Sequence, residues 1–96
     1  MTFSLVVWHD TADAINHLPD KTRRIIRMAL MLLAEDPFPG SHGDKEKLVL
    51  KGGIVIYRLH ISHSFTAFYD IDKEEKLVIV QDVLTIEQAH KKYGRM

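Results

Sequence analysis

The chain has 96 residues, 46% of them hydrophobic and 27% charged, a composition that suits one folded domain around one core and excludes disordered and fibrous classes. Lys and Arg number 13 and so do Asp and Glu, so no overall positive field marks a simple nucleic-acid-binding module, although a neutral total can conceal a basic face. The absence of cysteine excludes disulfides, thiolate metal sites and cysteine nucleophiles; with no membrane-length apolar run and no signal-like amino terminus, the expected compartment is the cytoplasm and no membrane contact is expected.

Phe3 to Trp8 is rich in β-formers and predicts a first strand, ended by the turn-prone His9-Asp10-Thr11, which also offers a cap to a short helix. From Thr11 to Leu18 the apolar residues Ala14, Ile15 and Leu18 fall at helical spacing; Pro19 stops that helix and Asp20 caps the next. In the second helix Ile25, Ile26, Ala29, Leu30 and Leu33 form one stripe, with Arg23, Arg24 and Arg27 directed away, until Pro37 forces an end. Asp36 to Asp44, with two prolines, two glycines and no periodicity, is a loop.

From Lys47 onward the apolar period becomes two. Breaks at Lys51-Gly52-Gly53, Ser62-His63-Ser64 and Asp72 to Glu75 divide this segment into four consecutive strands, which predicts an antiparallel meander. Gly52 and Gly53 read as a hairpin turn, since no helix start follows them to make a phosphate cradle. Thr85 with Gln88 three residues later has the capping-box pattern, so Ile86 to Tyr93 predicts a last short helix before Gly94. The expected fold is therefore α+β, a single domain over residues 1–96: an N-terminal strand, a two-helix hairpin, a four-stranded antiparallel meander and a short C-terminal helix.

Within that meander stand Tyr57-Arg58-Leu59-His60-Ile61, the turn Ser62-His63-Ser64, Phe65-Thr66 and then Ala67-Phe68-Tyr69-Asp70-Ile71-Asp72. This wording resembles the RelE/ParE superfamily of type II toxins, in which a Tyr-Arg-Leu-Arg-Ile strand leads through a turn to an aromatic-Arg pair and an apolar-Tyr-acidic-Ile-Asp ending. Element order agrees with that family over nearly the whole chain. The resemblance implies a RelE/ParE-like fold, a cognate antitoxin as partner, and assembly as a homodimer or a toxin–antitoxin heterotetramer. For the RelE-like branch it implies cleavage of mRNA on the ribosome. Two departures stand out. His60 and Thr66 occupy the positions where RNA-cleaving members place arginine, and Ala89-His90-Lys91-Lys92-Tyr93 stands in for the family's His-Arg pair followed by tyrosine.

Strand alternation puts Arg58 and His60 on one face, opposite Tyr57, Leu59 and Ile61, and so on the expected solvent side of the sheet. RNA cleavage at a 2′-hydroxyl needs a base for its proton, a cation for the charge growing on the phosphate and an acid for the departing 5′-oxygen. His60 suits the base and Arg58 the cation, with His90 or Tyr93 as acid if the tail folds over this face. Lys47, Lys51, Lys91 and Lys92 are the candidate RNA contacts, beside Arg95 in the tail. Arg58 and His60 fit equally well as solvated residues on an open sheet face, and the helix arginines as a solvated surface. Trp8, Tyr57, Phe65, Phe68 and Tyr69 read as packing residues, although Phe68, sharing the face of Thr66, is the one to watch for exposure to a base or partner. His60 and His63, with His9 or His42, invite a metal, but residues three apart on a strand face opposite ways and no carboxylate stands at a ligand interval, so neither metal nor cofactor is expected.

Three functions follow. The chain is a RelE-like endoribonuclease, or a ParE-like or catalytically reduced toxin that occupies a protein target such as a topoisomerase, or a non-toxic interaction domain of the same fold. The cations favour the first and the missing arginine the second, so enzymatic activity stays open. All three predict a protein partner that lays an amphipathic segment across helices and sheet.

Overall fold

The fold is described from a computed structural model, which covers residues 2–40 and 44–94; His42 and Arg95, named above, lie outside the described residues. Strand β1 (Ser4–Val7) turns Leu5 and Val7 toward the core. The chain then enters helix α1 (His9–Asn16) at once, with Trp8 in the N-cap position. The His9-Asp10-Thr11 segment is thus the first turn of the helix and carries no side-chain cap, which corrects the expected start at Thr11. Long-range bonding explains the shift: the Thr11 hydroxyl donates to the Gln81 carbonyl at 2.6 Å, so this hydroxyl serves the sheet and not its own helix end.

Helix α2 (Asp20–Glu35) begins the same way, with Pro19 at the N-cap and Asp20 already helical. Asp20 does not cap; its carboxylate pairs with Arg23 one turn on, where a negative charge also favours the positive end of the helix dipole. The buried stripe is Ile26, Leu30, Leu33 and Ala34. It is rotated from the expected one, for Ile25 is left on the surface beside Met28 and Leu32.

Strands β2 (Lys45–Val49), β3 (Val55–Ile61), β4 (Phe65–Asp72) and β5 (Leu77–Thr85) form the expected antiparallel meander. The β2–β3 turn uses Gly52 and Gly53 at φ of +89° and +80°, a region that residues with a Cβ rarely adopt. Strand β1 pairs with β5 in parallel, giving the order β1-β5-β4-β3-β2. Parallel neighbours cannot be joined by a tight turn. The α1–α2 hairpin is packed against one face of the sheet, and Ile15, Ile26, Leu30 and Leu33 meet Leu59, Ile61, Ala67, Tyr69, Val78 and Val80 in the main core. Tyr69, fully buried, donates its hydroxyl to the Pro37 carbonyl at 2.7 Å and so ties the loop after α2 to the sheet.

The other face is not open to solvent as expected. Helix α3 (Ile86–Tyr93) lies on it and closes a second, smaller cluster of Ile56, Phe68 and Ala89 with Leu48, Leu84 and Tyr93. The predicted capping box starts this helix: Gln88 N donates to Thr85 Oγ1 at 3.2 Å and Thr85 N donates to Gln88 Oε1 at 3.0 Å. Two aromatic expectations change as a result. Phe68 is fully buried beneath α3, and Trp8, expected to pack, is 54% exposed. Among the described residues no helix is long and apolar enough to cross a membrane.

Candidate functional site

Antiparallel register places Glu46 of β2 opposite Arg58 of β3, Arg58 opposite Phe68 of β4, and Phe68 opposite Asp82 of β5. Residues directly opposite share a face, so these four form a row across the sheet on the side that carries α3. A register shift between Phe68 and Tyr69 makes that row possible: Phe68 pairs with Asp82 but Tyr69 pairs with Val80, leaving Gln81 as the extra residue. Val80 and Val83 thereby both reach the main core while Asp82 between them faces α3. The bulged residue's carbonyl is the one that Thr11 satisfies.

At one end of the row, the Arg58 side chain is only 11% exposed, and its Nη2 donates to Glu46 Oε2. The other Glu46 oxygen, Oε1, lies 3.8 Å from His60 Nε2. One carboxylate thus spans the guanidinium and the imidazole. Arg58 Nε is buried and has no hydrogen-bond partner among the described residues. Thr66, opposite His60 on the same face, is buried.

At the other end, Asp82 accepts hydrogen bonds from Tyr93 Oη at 2.6 Å and Lys92 Nζ at 2.8 Å. The Tyr93 ring stacks on Phe68 with centroids 4.1 Å apart. Burial first, then the bond to Asp82, pushes the Tyr93 phenol above its ordinary range, so its proton is held firmly and is a poor donor to a leaving oxygen.

Of the eight candidate residues, Arg58, His60, Lys92 and Tyr93 come to one face of the sheet. His90 and Lys91 are exposed on α3, where Ala89 and Tyr93 turn to the sheet instead; Lys91 pairs with Glu87 at 3.7 Å. Lys47, opposite Tyr57, belongs to the helix-hairpin face at the sheet edge, and Lys51 is exposed in the β2–β3 turn. The tail does fold over the face of Arg58 and His60, but Arg58 is a buried ion-pair member there and not a solvated residue.

Sequence reasoning misses both acids of the row. Glu46 lies between two lysines on a strand whose register with β3 no local pattern declares. Asp82 carried a usable signal: an acid inside the apolar run from Leu77 to Leu84, followed ten and eleven residues later by Lys92 and Tyr93.

A separate feature is a groove of about 350 Å³ between α2 and β3. Its walls include Ile25, Met28, Leu32, Leu33, Leu59 and Ile61, and Met28 and Leu32 are each 66% exposed.

No family model matches the sequence, and no curated protein matches it. Solved structures do, among them toxins of the RelE type. The archaeal RelE–RelB complex from Pyrococcus horikoshii is similar with a TM-score of 0.71 at 20% identity, over 88% of this chain and 96% of that one. The RelBE2 toxin–antitoxin complex of Mycobacterium tuberculosis gives a TM-score of 0.68 at 14% identity, over 88% of this chain and 99% of that one. The isolated RelE toxin of E. coli gives 0.59 at 17% identity, over 94% of this chain and 97% of that one. The chain therefore has the RelE-like α+β fold over most of its length, as its element order led us to expect.

Proposed function

We propose that this chain is the toxin of a type II toxin–antitoxin system, a cytoplasmic RelE-like mRNA endoribonuclease that acts on the ribosome and is silenced by a cognate antitoxin. The observation that carries the proposal is the meeting of Arg58, His60 and the α3 residues Lys92 and Tyr93 on one face of a RelE-like sheet. His60, 39% exposed, takes the 2′-hydroxyl proton. Arg58 meets the charge growing on the phosphate. Tyr93, with its hydroxyl bonded to Asp82, holds α3 in place; His90, the other candidate acid, is exposed on α3 and turned from the sheet, so RNA must bring the leaving 5′-oxygen to it or draw on water. Lys92 and the exposed Lys51 and Lys91 supply backbone attraction for RNA, whereas Lys47 stands on the opposite face of the sheet. The apolar groove between α2 and β3 suits the amphipathic segment of an antitoxin, and complexes with antitoxins are among the similar structures.

The test is induced expression in a bacterial host with primer extension on ribosome-engaged mRNA, beside His60→Ala and Arg58→Ala. Growth arrest with new in-frame cuts that both substitutions abolish is the expected result. A second reading, a catalytically reduced toxin that acts by binding a protein, is favoured by the Glu46 carboxylate on Arg58 and the buried Thr66. Arrest without cuts would select it.

A further inference from the structure

We infer that the Glu46 carboxylate occupies the seat of an RNA phosphate between Arg58 and His60, as a built-in competitor that RNA must displace. The inference rests on the reading that the chain acts on RNA, and it adds the residue that sets how tightly. Glu46 places one oxygen on Arg58 Nη2 and the other 3.8 Å from His60 Nε2, the two partners that a bridging phosphate would take. An anion of two oxygens thus already stands in a site built for one.

The two members of the pair differ in freedom. Arg58 lies in an interior strand, paired on both sides and packed in the row beside Phe68, with 11% of its side chain exposed, so its charge is offered at this place only. Glu46 lies on the edge strand β2 and is 44% exposed, so it can swing into water and be hydrated when another anion takes its place. The carboxylate also leaves Arg58 Nε–H unpartnered, a buried donor whose desolvation no acceptor repays among the described residues. An incoming phosphate, with more oxygens, has an acceptor to offer it. The other acid of the row does not compete, since Asp82 lies beyond Phe68 and is held by Lys92 and Tyr93.

The experiment measures binding of a short labelled single-stranded RNA to the purified full chain by fluorescence anisotropy over a range of salt. Glu46→Gln keeps the side chain's size and an oxygen for Arg58; Glu46→Thr is a second variant that suits a half-exposed strand. Both should bind RNA about 10-fold tighter, equivalent to about 1.4 kcal/mol. The gain should vanish when Arg58→Ala is added. Folded variants that bind no tighter than the parent, or a gain that survives Arg58→Ala, overturn the inference. On the unaltered chain, RNA should shift the NMR signals of the Glu46 carboxyl carbon and Arg58 Nε–H together, and a Glu46 signal unmoved at saturating RNA overturns it equally. Failure of the functional reading is visible separately: a parent chain that arrests growth and cuts mRNA while both variants bind unchanged sinks the competitor alone, and a parent that neither arrests nor cuts while both variants bind tighter sinks the nuclease alone.

Discussion

The two faces of the sheet bury side chains under different rules. On the helix-hairpin face, Ile26, Leu30 and Leu33 meet Tyr69, Val78 and Val80 in a core whose stability comes from apolar area and close packing. On the α3 face a small apolar patch around Phe68 is bracketed by two charged groups, Glu46–Arg58–His60 and Asp82–Lys92–Tyr93. Arg58 and Asp82, the most buried members, cost desolvation and are a poor way to add stability. The face that carries them is the one on which we propose that RNA is met.

If that contrast holds, truncation should cost most on the apolar face. Leu30→Ala, at a position 3% exposed, should lower unfolding free energy by about 3 kcal/mol in urea melts monitored by circular dichroism, without touching the charged row. Arg58→Ala should cost less, about 2 kcal/mol, because the Glu46 it strands is half-exposed and can take up water. It should nevertheless abolish mRNA cuts, which Leu30→Ala should spare at temperatures where the variant is folded.

Two tyrosines sharpen the comparison, one on each face. Tyr69→Phe removes a buried bond to the Pro37 carbonyl and should cost about 1.5 kcal/mol; Tyr93→Phe frees Asp82, which Lys92 still holds, and should cost about 1 kcal/mol. Burial, with the nearby Tyr57, Asp44 and Asp36 adding to it, raises the Tyr69 phenol above its ordinary 10.0, and burial with Asp82 raises Tyr93. Above about pH 10 the unfolded chain therefore releases protons that the folded chain keeps. Fewer protons on the unfolded state mean that stability falls as pH rises, from pH 10 up to the folded-state values. Each Tyr→Phe variant should flatten this alkaline loss, read as a shallower dependence of the urea midpoint on pH. The smallest effect belongs to the turn: Lys51→Ala should change stability by less than about 0.5 kcal/mol while weakening RNA binding and its salt dependence, since this side chain is exposed at the hairpin tip.

Element order, the meander and its three turns were legible in the residues because each depends on neighbours in the chain. Alternation from Lys47 onward, the paired glycines at Gly52 and Gly53, and Thr85 with Gln88 state their structures locally, and all of these appear in the fold. Helix starts were less legible. Thr11 and Asp20 have the chemistry of caps, yet Trp8 and Pro19 take those positions, since Thr11 bonds to Gln81, 70 residues away, and Asp20 turns to Arg23.

Alternation alone put Arg58 and His60 on one face, but which face is dry is a property of what lies over it. Only packing placed α3 on that side, buried Phe68 and left Trp8, Ile25, Met28 and Leu32 outside. Only strand register, with a bulge at Gln81, brought Glu46 to Arg58 and Asp82 to Tyr93. A one-residue slip would move every such partner to the opposite face, and nothing within a single strand specifies the register of its neighbour. By itself the sequence determined the strands, the turns and the cations of the candidate site; tertiary structure decided their partners, because a side chain's charge is written in the chain while the charge opposite it is chosen by the whole fold.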